Sequence, residues 1–198
     1  MKVIGLCGQS GAGKGLVCAF FDQFNVKCID TDKVYHDIIS QNSDCTEELV
    51  NTFGEVIASP SGIDRNELRK IAFSSDENLK KINEITHKHI LKVVREKIRQ
   101  IRDESGADGI IVDAPLLFES GFDKECDATI AVVSARDNKI ERIVSRDGIS
   151  RDYAVHRLSS QIPEEDLVKM CTYVLDNNST KDTLKDKVFA LKQIIFDK

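Results

Sequence analysis

The run Gly8-Gln-Ser-Gly-Ala-Gly-Lys14-Gly15 brings three chemical capacities together. Its glycines let the backbone turn so that successive N–H groups converge on one anion. Its lysine offers a cation to the β- and γ-phosphates of a nucleotide. A helix starting at Lys14 would add the positive end of its dipole. With a strand before it and a helix after it, such a run is a phosphate-binding P-loop. On this reading Gly8, Gly11, Ala12, Gly13, Lys14, Gly15 and Leu16 contact ATP, and Lys14 also assists transfer. One position departs from the pattern. A P-loop normally follows its lysine with Ser or Thr, whose hydroxyl ligates Mg²⁺, whereas here Gly15 and Leu16 follow.

Two further groups of residues suit the same chemistry. Asp30 and Asp32 flank Thr31 after an apolar run, where an acid can orient a hydroxyl and accept its proton, or cap the next helix. Lys139, Arg142 and Arg146 recur at helical spacing and so share a face. From Arg136 to Arg157 there are six Lys or Arg residues against four Asp or Glu residues. An acidic chain that handles phosphates needs such a local concentration of cations. Without further information a solvated, charged helix pair explains the same pattern.

The elements that must position these residues follow from apolar patterning. Lys2 to Cys7, Val26 to Ile29, Ile110 to Asp113, Ala128 to Val133 and Tyr173 to Asp176 read as short buried strands. Helices are expected from Lys14 to Phe24, from near Thr31, from about Asp76 with a break at Gly106 to Gly109, and from Thr180 to Phe196. Ala58 to Ile63 reads as a turn-rich break, and Asp64-Arg-Asn-Glu67 as a capping box. Strands alternating with helices predict an α/β fold, a three-layer α/β/α P-loop domain around a five-stranded parallel sheet.

The order of several short motifs resembles the dephospho-CoA kinase family over nearly the whole chain. These motifs are Ile29-Asp-Thr-Asp32, Arg65 with Leu68 and Phe73, Thr86-His87 and Pro115-Leu-Leu-Phe-Glu119. They continue with Arg142 and Arg146-Asp-Gly148, Arg157 with Gln161, and Val174-Leu-Asp-Asn177. The chain departs from the family where His87-Lys88 replaces His-Pro, Lys139 replaces Gln, and Cys171-Thr172 replaces Ala-Asp. The resemblance implies transfer of the ATP γ-phosphoryl group to the ribose 3′-hydroxyl of dephospho-CoA, with Mg²⁺. It implies Asp32, Lys14 and Arg142 as catalytic residues, and Arg142, Arg146 and Asn177 as ATP contacts. Asp30, Asp32, Arg65, His87, Pro115, Leu116, Leu117 and Arg157 become acceptor contacts, although core packing explains Leu116 and Leu117 equally well. Asp30 and Asp32 are the expected metal-holding acids, directly or through water. The implied organisation is one domain, residues 1–198. Its core covers about 1–40, 106–135 and 172–198, with an acceptor-binding helical insertion at about 41–105 and a helical lid at about 136–165. Two alternatives stand beside this reading: another nucleoside monophosphate kinase, since adenylate-kinase-like loops also place Gly after the lysine, and a P-loop nucleotide-binding protein of weakened catalysis.

Composition bounds the remaining choices. The chain has 198 residues, 41% hydrophobic and 31% charged, with a formal charge of −5. That charge argues against a general nucleic-acid-coating surface. The N-terminal apolar run is too short for a secretion signal, and no stretch approaches the ~20 apolar residues of a membrane span. A cytoplasmic enzyme with small-molecule substrates is therefore expected, with neither nucleic acid nor membrane as a partner. The six cysteines show no CxxC spacing and read as reduced structural thiols. His87 and His89, two residues apart, make no zinc pattern on a helix.

Overall fold

The computed structural model describes residues 1–41, 43–104 and 106–197. Asn42, Ser105 and Lys198, which fall inside regions delimited above, lie outside the described residues. The chain runs β1 (Lys2–Cys7), α1 (Lys14–Gln23), β2 (Val26–Asp30), α2 (Thr31–Ile39), α3 (Asp44–Phe53), β3 (Ala58–Ser59), β4 (Gly62–Ile63), α4 (Arg65–Ala72) and α5 (Asp76–Glu104). It continues β5 (Gly109–Asp113), β6 (Ala128–Val133), α6 (Arg136–Asp147), α7 (Arg151–Ser159), α8 (Glu164–Met170), β7 (Tyr173–Asp176) and α9 (Lys181–Phe196).

Five strands form one sheet in the order β2-β5-β1-β6-β7. β1 pairs in parallel with β5 on one side and with β6 on the other, and β6 pairs in parallel with β7. The sheet is the expected five-stranded parallel one. Its strands read as continuous apolar runs because both faces are covered. Ile4, Leu6, Ile111, Ile130, Val132 and Leu175 pack with Val17 and Phe21 of α1 and Leu184 and Val188 of α9. Phe21 meets Phe196 edge to face, with ring centroids 6.4 Å apart. Because β1 is the middle strand, its carboxyl end opens at the switch point of the sheet, where α/β folds gather ligands.

The chain divides into two compact units, Met1–Ile29 with Gln100–Lys198, and Asp30–Arg99. In the second unit Ser43 caps α3 through a reciprocal box. The Thr46 N–H donates to Ser43 Oγ at 3.3 Å, and the Ser43 N–H donates to Thr46 Oγ1 at 2.8 Å. Glu48 of α3 holds Lys88 and His89 of α5 at 2.9 and 2.7 Å, and the hydrogen bonds from Lys88, first, and His89 keep its carboxyl below the usual range.

Three local expectations change. Asp64 does cap α4, accepting from the Asn66 and Glu67 N–H groups, but the box is not reciprocal. The Asp64 N–H donates to Ile57 O at 2.8 Å, and Glu67 reaches forward to Lys70 at 2.6 Å. The break at 58–63 is a small antiparallel hairpin, β3 with β4. Helices α3 and α8 had no individual counterpart in the reading above. Among the described residues no helix is long and apolar enough to cross a membrane.

Candidate active site

The glycine run leaves the carboxyl end of β1 and enters α1, so both flanking conditions for a P-loop hold. Gly11 and Gly13 have φ of 76° and 99°, where any other residue is strained. Space forbids a side chain too. A Cβ on Gly13 would lie 2.2 Å from Asn177 Nδ2, and one on Gly11 would lie 2.4 Å from Lys139 O. Lys14 folds back across the loop, its Nζ donating to Gly8 O at 3.0 Å. Leu16 is half-buried against the core. Gly15 contrasts with the other glycines, since a Cβ there would meet nothing within 4 Å. Packing therefore does not account for glycine at this position.

Two expected ATP contacts grip the back of the loop. Asn177, buried at the end of β7, donates from Nδ2 to Ala12 O at 2.7 Å. Arg142 of α6 donates to Gly11 O at 3.0 Å, Ala12 O at 3.3 Å and Asn177 O at 3.1 Å. Those bonds occupy the Gly11 and Ala12 carbonyls, and within the loop the Ala12 N–H donates to Gln9 O at 3.1 Å. Arg142 and Asn177, read as ATP contacts, here bond backbone carbonyls of the P-loop.

A second set of residues supporting the loop was missed. Lys139, 4% exposed, donates to Gln9 Oε1 and to Glu164 Oε2, both at 2.7 Å. Gln9 donates from its amide to Ile162 O at 3.0 Å, and the Ser10 N–H donates to Gln161 Oε1 at 2.9 Å. The loop's first leg is thus pinned to the segment that starts α8. The sequence had marked Lys139 on a face with Arg142 and Arg146, and Gln161 in a motif with Arg157, but not their contacts with the distant Gln9 and Ser10.

Arg146 forks onto both oxygens of Asp147, its Nε 2.6 Å from Oδ1, and Arg157 adds a single bond to Oδ2. The Arg146 guanidinium, with Arg157 adding to it against a small cost of burial, holds the Asp147 carboxyl down at about 2. In this conformation these two arginines serve α6 and α7, which pack through Ile140, Ile143, Ala154 and Leu158.

Asp113 ends β5 in register with Leu6, beside the strand that delivers the P-loop. Its Oδ2 lies 4.0 Å from Cys18 Sγ of α1. An acid closing a buried strand next to a P-loop strand was legible in Ile110-Ile-Val-Asp113, but it was read only as a strand end. Pro115 is half-buried and Leu116 is exposed. Leu117 corrects an expectation. It is fully buried, and its methyls lie 2.8 and 2.9 Å from where a Cβ on Gly5 would stand, so it packs the core and offers no surface to an acceptor.

Asp30, Asp32, Arg65 and His87 belong to the second unit. Asp30 is the N-cap of α2 and accepts from the Lys33 N–H at 3.0 Å. Asp32, in the first turn of α2, is exposed, as is Arg65 at the start of α4. Burial lowers the proton affinity of His87, and its Nε2 has no hydrogen-bond partner among the described residues. A neutral imidazole with one nitrogen in reserve suits a polar contact to a ligand.

With this geometry in view, comparison with known proteins is decisive. The dephospho-CoA kinase family model matches residues 2–183. The chain belongs to the dephospho-CoA kinase family. A dephospho-CoA kinase of Fusobacterium nucleatum is 36% identical over 189 residues, covering 95% of each chain. A crystal structure from Thermus thermophilus superposes with a TM-score of 0.81 at 28% identity, covering 99% of this chain and 97% of that one. A dephospho-CoA kinase structure from Campylobacter jejuni gives 0.71 at 25% identity, covering 98% and 97%. The dephospho-CoA kinase resemblance read from scattered motifs is therefore correct, and it extends to the fold.

Proposed function

We propose that this chain transfers the γ-phosphoryl group of ATP to the ribose 3′-hydroxyl of dephospho-CoA, giving CoA and ADP. The observation that carries the reading is a formed P-loop, with Lys14 across it and Arg142 and Asn177 behind it, in a chain of this family. Phosphoryl transfer depends on positioning and charge stabilisation more than on covalent chemistry. The loop N–H groups and the α1 terminus bind the phosphates, and Lys14 leaves Gly8 O to neutralise them. Asp32 accepts the acceptor's hydroxyl proton, and Asp30 both caps α2 and helps orient the attack.

Residues at about 41–105 receive the acceptor, through Arg65, His87 and the exposed side of Pro115 and Leu116. Residues at about 136–165 act as a lid. Arg146 and Arg157 exchange Asp147 for phosphate oxygens when the triphosphate enters, and the closed lid excludes water.

The assigned reaction calls for Mg²⁺, although no group of three or more His, Cys, Asp or Glu side chains that could hold an ion stands together among the described residues. Asp113 stands at the strand end beside the loop, where P-loop enzymes carry a metal-holding acid. The open space at Gly15 would admit water in place of the usual hydroxyl, and Asp30 and Asp32 are the further acids that the family resemblance implies. When bound, the ion offsets charge on the β- and γ-phosphate oxygens. We read the enzyme as cytoplasmic, with no nucleic acid or membrane partner, in keeping with its charge of −5.

A coupled ADP-release assay tests the assignment, with dephospho-CoA, AMP, CMP and dTMP offered in turn. Turnover with dephospho-CoA alone is expected. Turnover only with a nucleoside monophosphate would overturn it. Gly15 favours one second reading, a nucleotide binder without catalysis, which ATP binding without turnover across a Mg²⁺ and Mn²⁺ titration would establish.

A further inference from the structure

Cys7 and Cys171 face each other with their sulfurs 3.4 Å apart. Cys7 ends β1, buried, immediately before Gly8, and Cys171 is the half-buried C-cap of α8. Other thiols turn to backbone instead: Cys28 to Cys18 O at 3.4 Å, and Cys126 to Phe122 O at 3.3 Å. Neither residue of the pair has a part in the phosphoryl-transfer chemistry above.

We propose that Cys7 and Cys171 form a peroxide-reactive pair that closes to a disulfide and weakens ATP binding at the adjoining loop. The two thiols divide the work by their surroundings. Cys171 is the more accessible, and hydrogen bonds from Cys7, chiefly, and from Thr129 favour its thiolate against the cost of burial. The same contact and burial keep Cys7 protonated. Cys171 Sγ attacks one oxygen of hydrogen peroxide, breaking the O–O bond to give a sulfenic acid and hydroxide, which takes up a proton to become water. Cys7 Sγ then attacks that sulfur, the S–S bond forms, and the S–O bond breaks to release a second water. Both thiols are oxidised, each giving up its proton, and one peroxide is reduced to two waters.

The bond acts on the loop because of what it crosses. Cys7 and Val174 are both in register with Ala131, so β6 lies between β1, which Cys7 ends, and β7, which begins two residues after Cys171. The sulfurs must close from 3.4 Å to the ~2.05 Å of a disulfide. The next residue has little freedom to absorb that movement. A Cβ on Gly8 would lie 2.5 Å from Val132 O, and Gly8 O is the acceptor that holds Lys14.

The full-length chain, treated with one equivalent of hydrogen peroxide, is read by thiol titration, peptide mapping and ATP calorimetry. The expected result is loss of two of its six thiols, a mapped 7–171 bond, and ATP affinity lowered roughly tenfold and restored by dithiothreitol. Cys171→Ala, and Cys171→Ser as a second variant, should bind ATP equally before and after peroxide. Six thiols surviving treatment, a bond mapped between other cysteines, or a 7–171 bond with unchanged ATP affinity would each overturn the proposal. None of these readouts depends on dephospho-CoA turnover, so failure here is distinct from failure of the assigned reaction.

Discussion

The carboxamide nitrogen of Asn177 lies 2.7 Å from the carbonyl oxygen of Ala12, and this bond joins the last strand of the sheet to the P-loop. Asn177 also fills the space that a side chain at Gly13 would need. A buried donor and acceptor this close are costly to separate, at about 1–3 kcal/mol for the partner left unsatisfied. Asn177→Ala should therefore weaken ATP binding roughly tenfold and lower thermal stability. Calorimetry with ATP, together with a melting curve, checks both effects.

Lys139 and Glu164 should respond unequally to loss of the partner. Lys139 is 4% exposed, whereas the Glu164 side chain is 29% exposed. Glu164→Ala strands a buried ammonium, at a cost of about 3–5 kcal/mol. Lys139→Gln leaves a carboxylate that reaches water and still offers Gln9 a hydrogen-bonding partner, so about 1 kcal/mol is expected. Urea denaturation of both variants decides. Equal losses would contradict the burial argument.

Asp147 sets a pH dependence with a definite sign. Its carboxyl titrates at about 2 in the folded chain, below the ordinary value of 3.8. The stability contributed by its arginine pair is complete above the ordinary value and is lost as pH falls from there through about 2. Solvent screening keeps the effect at about 1 kcal/mol or less, since Arg146 is largely exposed. The stability difference between wild type and Asp147→Asn should shrink across that window. The same variant releases Arg146 and Arg157 and should bind ATP a few-fold more tightly at neutral pH.

Asp32 and Asp30 separate by assay. Asp32→Asn should cut turnover by roughly 10²- to 10⁴-fold while ATP affinity stays within about twofold of wild type. Asp30→Ala removes the cap that accepts from the Lys33 N–H, costing about 1 kcal/mol of stability, whereas Asp30→Asn keeps it. Paired kinetics and melting measurements on the three variants distinguish base from cap.

Gly15→Ser tests the missing hydroxyl directly. Nothing lies within 4 Å of a Cβ there, and the residue sits in the first turn of α1. The variant should fold, gain about 0.5 kcal/mol in helix propensity, and reach half-maximal turnover at lower Mg²⁺. An unchanged Mg²⁺ profile would show that Asp113, Asp30, Asp32 and water already suffice.

Local pattern alone determined the P-loop, the five strands and the helices that follow them. The reason is physical: glycine spacing, buried apolar runs and helical periodicity are properties of neighbouring residues. A cap at Asp30 or Asp32 was legible and the structure chose Asp30, whereas Asp64 kept its cap but gave its N–H to Ile57 O, and Glu67 pairs with Lys70. Strand order was beyond local pattern. The sheet puts β6 between β1 and β7, and that decides which distant residues meet the loop. Arg142 and Asn177 were read as ATP contacts from the family motif, yet their geometry shows them gripping loop carbonyls from behind. Leu117 was equally legible as a ligand contact or as core, and burial against Gly5 settled it. The Lys139–Gln9–Glu164 network and the Cys7–Cys171 pair join residues far apart in the chain. Such contacts exist only once long-range strand pairing has closed the loops between them, so only the tertiary structure placed buried charge and paired sulfur beneath a loop that the sequence had already marked for phosphate.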